Sequence, residues 1–292
     1  MDIFLQILIS GLSLGAMYAV GTIALSLLWG TMGMMNLAHG GFIAIGGYLA
    51  YWCMTVLGAS WIFVLPLALA GGMLSGYLMY HLVVRWMFER KEFGVDIIIA
   101  TVAIAALVEN GLLNIAGPSA KRQPFALSGG LRIGDVVLPY QTILTVVIAI
   151  ILLIVVFYIV THTKLGIVIR AISQQQTASR LMGVNTRSAF AKAMMLAGGI
   201  AAVSGVLVTG ATQLFPSVGF DTTIKALVIC IIAGLGNLRG AIFMAFVLGL
   251  FEVAVQYIFG QRYGFPAMLG LVIVVLIIRP NGLFGKATVD RV

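Results

Sequence analysis

Long apolar blocks are the feature that most restricts how this chain can fold. Residues 3–29, 61–84, 141–160 and 264–278 each form such a block, and each is close to the roughly 20 residues that a helix needs to cross the hydrocarbon of a bilayer. Only 9% of the 292 residues are charged, whereas about 25% are charged in an ordinary soluble chain. We therefore predict an all-α, polytopic transmembrane helix bundle with about eight to ten membrane segments. Residues 1–292 are expected to form a single transmembrane domain.

The basic residues suggest how the bundle lies in the membrane. They form three clusters. The first is Arg85, Arg90 and Lys91, and the third is Arg279, Lys286 and Arg291. The second begins with Lys164 through Arg170 and continues with Arg180, Arg187 and Lys192. Basic loops prefer the cytoplasmic side, and nine segments with an outer N-terminus put every cluster there. The predicted segments are 3–29, 41–57, 61–84, 95–116, 141–160, 189–211, 224–236, 241–259 and 264–278. Segments 41–57 and 224–236 are short and rich in glycine, so re-entrant or broken helices are the alternative there.

Several classes of function are disfavoured by what the sequence lacks. There is no G-x-x-x-x-G-K-[ST] motif for binding nucleotide phosphates, so the chain is not expected to hydrolyse ATP. His39, His81 and His162 are too dispersed to suggest a zinc site. The net charge of +8 is confined to connections and is expected to set orientation rather than to bind nucleic acid. We expect no cofactor in this chain.

Residues 164–187 form the most informative polar interval, which we predict to be a coupling segment. Apolar side chains recur there at helical spacing, at Val168, Ala171, Ile172, Ala178 and Met182, with polar residues mostly elsewhere around the turn. Gly183 suits a helix C-terminus, and Asn185 or Thr186 can cap the following helix. The pattern predicts a short amphipathic helix between two crossings. Such a helix either docks a cytoplasmic partner or rests on lipid.

Four motifs carry a resemblance to a known family. They are Leu-Gly-Ala-Met-Tyr-Ala at 14–19, Gly-Met-Met-Asn-Leu-Ala-His-Gly at 33–40 followed by Gly-Gly-Tyr at 46–48, the interval 170–185, and Gly-Leu-Gly-Asn-Leu-Arg-Gly-Ala at 234–241. With these motifs the chain resembles, over essentially its whole length, the LivH-type permeases of ATP-binding-cassette importers for branched-chain amino acids. Urea and amide permeases are similar.

The resemblance implies a heteromeric importer in the bacterial inner membrane. Its partners would be a second related permease, two cytoplasmic ATPase subunits that bind ATP and Mg²⁺, and an extracytoplasmic substrate-binding protein. The predicted ATPase-coupling residues are Arg170, Ala171, Ala178, Leu181, Met182, Gly183 and Asn185. Members of the family often carry acidic residues where this chain has Gln174, Gln175 and Gln176.

Five polar residues in apolar surroundings are candidates for the translocation pathway: Asn36, His39, Glu109, Asn110 and Glu252. Charged groups inside a membrane usually face the bundle interior or water. Three of them have a structural alternative: His39 could cap a helix, Glu109 could reach the interface, and Glu252 could make an interhelical hydrogen bond. Asp221 and Lys225 are four residues apart, and we interpret them as a local pair at the start of a helix.

Small residues at four-residue spacing suggest close helix contacts, as at Gly11 with Gly15, Gly72 with Gly76 and Gly236 with Gly240.

Two other functions remain open from the sequence. A stand-alone secondary transporter is the main alternative, although the inverted repeats of that class are not visible. A channel is a third, and no selectivity-filter stretch is present.

Overall fold

A computed structural model describes residues 2–88, 93–124, 129–133 and 136–285. The helices are α1 (Asp2–Met32), α2 (His39–Thr55), α3 (Trp61–Met79), α4 (Arg85–Met87), α5 (Phe93–Ala116), α6 (Tyr140–His162), α7 (Lys164–Gln174), α8 (Gln176–Leu181), α9 (Thr186–Ala211), α10 (Val218–Ala233), α11 (Leu238–Phe259) and α12 (Gly264–Ile278). A π-helical turn (Tyr80–Val84) joins α3 to α4, and a 3-10 turn (Gln261–Tyr263) precedes α12. Two strands, β1 (Gly130–Ile133) and β2 (Val136–Pro139), pair in antiparallel fashion.

The predicted transmembrane bundle is confirmed. Within the described ranges, seven helices are long and apolar enough to cross a membrane, and they correspond to seven of the nine predicted segments. The central one is α9, because 83% of its apolar window is buried. By contrast, α5 and α12 lie at the periphery, with 17% of their windows buried.

The remaining two segments are the short helices α2 and α10, of 17 and 16 residues. Both begin inside the bundle. The linker before α2 is bonded through the Leu37 amide to Thr101 Oγ1, eight residues into α5 and therefore about 12 Å from its start. The first turns of α2 and α10 meet at Gly40 and Gly219, where a Cβ on Gly40 would lie 2.6 Å from the Gly219 carbonyl oxygen. Broken, partial helices at these positions fit the glycine-rich sequence.

Glycine sets the distance between the long helices. A Cβ on Gly249 of α11 would lie 2.5 Å from the Gly15 nitrogen and 2.7 Å from the Gly11 carbonyl oxygen of α1, so these two backbones touch. Gly72 and Gly76 of α3 contact the α9 backbone in the same manner. Two of the three predicted glycine pairs therefore mediate helix contacts, as expected when small residues replace hydrophobic driving force in lipid.

The prediction that Gly236 and Gly240 together form a contact between two helices was wrong. Gly236 lies in the turn between α10 and α11 with φ of +83°, where its backbone approaches Gly30 of α1. Gly240 faces the Phe284 side chain instead. Four-residue spacing alone did not reveal that a turn separates the two glycines.

The two ends of the bundle differ in chemistry. The basic end holds Arg85, Arg170 and Arg279, together with α7 and α8, and the predicted cluster members Arg90, Lys91, Lys286 and Arg291 lie outside the described residues. The hairpin end holds β1 and β2, and there Lys121 forms a backbone bridge with Leu214. The hairpin departs from the all-α prediction. Its two strands are separated by Gly134 and Asp135 in the sequence, a composition that favours two-residue hairpin loops.

Candidate functional site

The predicted coupling segment lies at the basic end, between α6 and α9, as two short helices rather than one. The α7 helix buries Ile169 and Ile172 against the bundle. It ends because Gln175 adopts an extended conformation (φ −157°, ψ 102°), after which α8 begins. No residue between Ile172 and Ser179 is fully buried, so nothing in this polar stretch holds a continuous helix against the core.

Two arginines fasten this segment to the long helices on either side. The Arg170 guanidinium donates hydrogen bonds to the carbonyls of Val160 and Thr161, the latter at 3.1 Å, at the end of α6. Arg180 Nε donates to Thr186 Oγ1 at 3.1 Å, at the start of α9. Arginine in such positions satisfies carbonyls that a helix end leaves unpaired. These hydrogen bonds connect α7 to the end of α6 and α8 to the start of α9.

The predicted turn residues have the expected geometry. Gly183 follows α8 with φ of +82°, a left-handed conformation that glycine adopts without steric cost. Asn185 Oδ1 accepts a hydrogen bond of 3.0 Å from the Ser188 amide and so caps α9. Both helix-end predictions are confirmed.

The outermost part of the segment is an apolar tip formed by Leu181 and Met182. Their exposed fractions are 84% and 85%, so neither contributes to the interior of this chain. The other predicted coupling residues, Ala171 and Ala178, are partly buried behind this tip. Two adjacent exposed apolar side chains at this end suit either of the two predicted contacts, a cytoplasmic partner or lipid.

A cleft of about 1080 Å³ opens beside α7 at the basic end. Trp29, Phe157, Arg170, Arg239 and Phe284 line it, and the Arg239 guanidinium lies 5.6 Å from the Phe157 ring centroid. Because Arg170 anchors α7 and also borders the cleft, a displacement of α7 would change the shape of this opening.

Two of the predicted pathway residues are enclosed. Asn36 and His39 have no exposed surface. Asn36 Oδ1 accepts from the Ala38 amide at 3.1 Å, and its Nδ2 contacts Met194 Sδ at 3.9 Å. The His39 ring lies beside the Gly21 backbone, and neither of its ring nitrogens makes a hydrogen bond of normal geometry to a described residue. His39 does not cap α2 because it is itself the first residue of that helix. A pathway role for these two residues stays a prediction.

Glu109 lies in a narrow groove at the meeting point of α2, α5 and α10. The groove is also lined by Gly40 and Gly219, the contact between the two short helices, and by Phe220. Asn110 is exposed and donates a hydrogen bond of 2.8 Å to the Ala106 carbonyl of its own helix. Unlike Glu109, it is not among the residues that line the groove.

A buried ionic cluster joins α1, α10 and α11. Lys225 Nζ lies 2.8 Å from Glu252 Oε1 and donates a 2.7 Å hydrogen bond to the Tyr18 hydroxyl. That hydroxyl donates to Glu252 Oε2 at 2.6 Å, and Gln256 Nε2 donates to Glu252 Oε1 at 3.1 Å. The Glu252 side chain is 2% exposed and the Lys225 side chain 25%. Removing one member of such a pair leaves a buried charge uncompensated and typically costs about 3–5 kcal/mol.

The cluster corrects one prediction and extends another. Lys225 pairs with Glu252 on α11 and not with Asp221, so our interpretation of a local helix-start pair was wrong. Sequence spacing favours neighbours on one helix, whereas this partner comes from a helix that begins after an intervening turn. The interhelical hydrogen bond considered for Glu252 is present. Tyr18 was missed, although a tyrosine hydroxyl within an apolar segment needs a partner.

Comparison with known proteins agrees with this architecture. Residues 7–279 match the family model described as branched-chain amino acid transport system, permease component. The chain is 27% identical to the high-affinity branched-chain amino acid transport system permease protein BraD of Pseudomonas aeruginosa, over 99% of this chain and 98% of that protein. It is 24% identical to the LivH permease protein of the corresponding system of Escherichia coli, with the same coverage.

A solved structure shares the fold. PsaBC from Streptococcus pneumoniae, determined in complex with a Fab, superposes with a TM-score of 0.54 at 12% sequence identity and covers 93% of this chain and 91% of that chain.

Proposed function

The chain belongs to the family of branched-chain amino acid transport permeases, and on that premise we propose that it forms half of the translocation pathway of an ATP-driven importer. Its role is that of a transport subunit and not of an enzyme. The observation that carries the proposal is the family match along nearly the whole chain. That family is described as one component of a transport system, which does not favour a stand-alone secondary transporter.

The proposed importer contains four kinds of subunit. A second related permease completes the pathway, two ATPase subunits bind ATP and Mg²⁺ and hydrolyse ATP, and an extracytoplasmic binding protein delivers the amino acid. This assignment is supported by the absence of a phosphate-binding motif from the sequence. The chain would lie in the cytoplasmic membrane with its basic end inside, because basic connections prefer that side.

Force would enter through the coupling segment. The apolar tip at Leu181 and Met182 is exposed, and docking of an ATPase subunit would bury it. Arg170 and Arg180 would then pass the motion of the ATPase to α6 and α9. Because α9 is the most enclosed long helix, its displacement would move the helices around it.

Reconstitution of defined subunits tests this function. We expect liposomes that contain the complete set of subunits, with ATP on the ATPase side, to accumulate radiolabelled leucine. Liposomes that contain only this chain should neither accumulate leucine nor hydrolyse ATP. Concentrative uptake by this chain alone would refute the proposal, and so would an assembled complex that hydrolyses ATP without moving leucine, isoleucine or valine.

A further inference from the structure

One face of α10 carries two charged residues, Asp221 and Lys225, one helical turn apart. Asp221 is exposed on the first turn of α10, and no cation among the described residues pairs with it. Lys225 lies one turn further along the same face and is partly exposed despite its ion pair. Phe220, beside Asp221, is 57% exposed. Asp221 and Lys225 are about 40° apart around the helix and share this face, whereas Phe220, about 100° from Asp221, lies on its flank.

This face does not suit hydrocarbon. A charged side chain at the bilayer centre costs about 2.5–3.5 kcal/mol on insertion scales, and Lys225 belongs to a cluster deep between α1, α10 and α11. Residues of this kind face a partner or a water-filled path. Phe220 also lines the groove that holds Glu109, which places the face beside an opening where α2 and α10 begin.

The ionic cluster leaves one bonding position free on Lys225. An ammonium group has three donors, and within the described structure Lys225 uses two of them, toward Tyr18 and Glu252. Glu252 is almost fully enclosed and accepts from Lys225 and Gln256. Glu252 and Tyr18 therefore hold the ammonium group in place while its remaining donor is available to an anion.

We propose that the α10 face of Asp221 and Lys225, with Phe220 on its flank, is a transit subsite for a zwitterionic amino acid with an aliphatic side chain. The Lys225 ammonium receives the carboxylate of the cargo, Asp221 receives its ammonium group, and the aliphatic side chain extends toward Phe220 and the groove that Phe220 lines. Charges one helical turn apart are separated by about 5.4 Å along the axis, a span that one α-amino acid can bridge. This inference rests on the proposed function and adds residues that recognise the cargo.

A set of charge variants separates a cargo contact from a purely structural ion pair. In the assembled importer we expect Lys225→Met to lower the rate of leucine uptake about 10- to 100-fold, the equivalent of one charge-assisted hydrogen bond. Asp221→Asn removes the proposed partner of the cargo ammonium group at an exposed position, so it should lower uptake about 10-fold without changing the thermal midpoint. The double variant Lys225→Met/Glu252→Gln leaves no unpaired buried charge, and we expect it to assemble normally yet transport no better than Lys225→Met.

A structural ion pair gives the opposite pattern. Asp221→Asn would then transport like wild type, and the double variant would recover uptake; either result overturns the subsite. Thermal unfolding of each purified complex shows whether it has assembled, and the double variant decides the question if Lys225→Met does not fold. Arg262→Gln, an exposed substitution in the turn before α12, is the control and should transport like wild type.

A crosslinking experiment locates the cargo directly. A leucine analogue that carries a diazirine on its side chain is supplied to the wild-type complex during turnover, illuminated and mapped by mass spectrometry. We expect labelling on α10 around Phe220, and its loss in the double variant while labelling of the binding protein persists. Labelling confined to other helices would overturn the subsite but leave the importer function intact, whereas absence of wild-type uptake in the same assay would refute the importer function itself.

Discussion

Truncating the apolar tip should uncouple the transporter without unfolding it. Leu181 and Met182 are 84% and 85% exposed, so Leu181→Ala and Met182→Ala remove no packing within this chain. Surface changes of this type usually alter the free energy of unfolding by less than about 0.5 kcal/mol. The thermal midpoint of the purified permease should therefore stay unchanged.

The loss appears when the ATPase subunit docks. Each substitution removes three heavy atoms, and burial of one methylene is worth about 0.8 kcal/mol. Complete burial at the interface therefore predicts a loss of about 2 kcal/mol per side chain, which is about a 30-fold increase in Kd. The two residues are adjacent and their effects need not add, so we expect at least about a 30-fold increase for the double variant.

Binding of the ATPase subunit to the permease in nanodiscs, measured by interferometry, gives the Kd, and cargo-stimulated ATP hydrolysis reports coupling. Leu57→Ala is the matched control, because Leu57 is 73% exposed but lies near the hairpin end, after α2. A Kd and a stimulated hydrolysis rate within twofold of wild type for the double variant would refute docking through this tip. So would an equal defect in Leu57→Ala.

Three further substitutions test the packing that supports this mechanism. Gly249→Ala places a Cβ against the α1 backbone and should destabilise the permease by about 1–3 kcal/mol. The control is Gly270→Ala on α12, where nothing lies within 4 Å, and it should not lower the thermal midpoint. Equal midpoints for the two variants would contradict the close approach of α1 and α11. Gly166→Ala would overlap the Val160 carbonyl and should reduce cargo-stimulated ATP hydrolysis, and an unchanged rate would show that the α6–α7 turn tolerates distortion. Asn185→Ala removes the cap of α9 and should cost about 1 kcal/mol, measured by denaturation in detergent, with no loss expected if water replaces the cap fully.

The sequence alone located most of the helices, because hydrophobic length is a strong signal in a membrane protein. It also located a short helical interval between two long helices, since the polar residues 164–187 contrast with the apolar segments on either side; the coupling role of this interval stays a prediction. The break at Gln175 was not foreseen. In the sequence, the helical spacing of apolar residues continues past Gln175. Only the structure shows that no residue between Ile172 and Ser179 is buried, so packing does not require the helix to continue there.

The ionic cluster could not have been predicted from local spacing. Tyr18 and Lys225 are separated by 207 positions and Tyr18 and Glu252 by 234, and their meeting depends on how α1, α10 and α11 pack. Glycine contacts that bring those backbones together were recognised for Gly11 and Gly15, but their partner on α11 was not. Pairing between helices is a tertiary property, and a single sequence does not encode it in any periodic pattern.

The short helices α2 and α10 have an electrical consequence. With 17 and 16 residues, each spans about 25 Å, less than the roughly 30 Å of a hydrocarbon core, and their first turns meet at Gly40 and Gly219. Water that reaches this junction from either face would carry the potential of that compartment into the protein. The membrane voltage would then fall steeply across a thin septum near α10, and a zwitterion with no net charge could cross that septum with little electrical work.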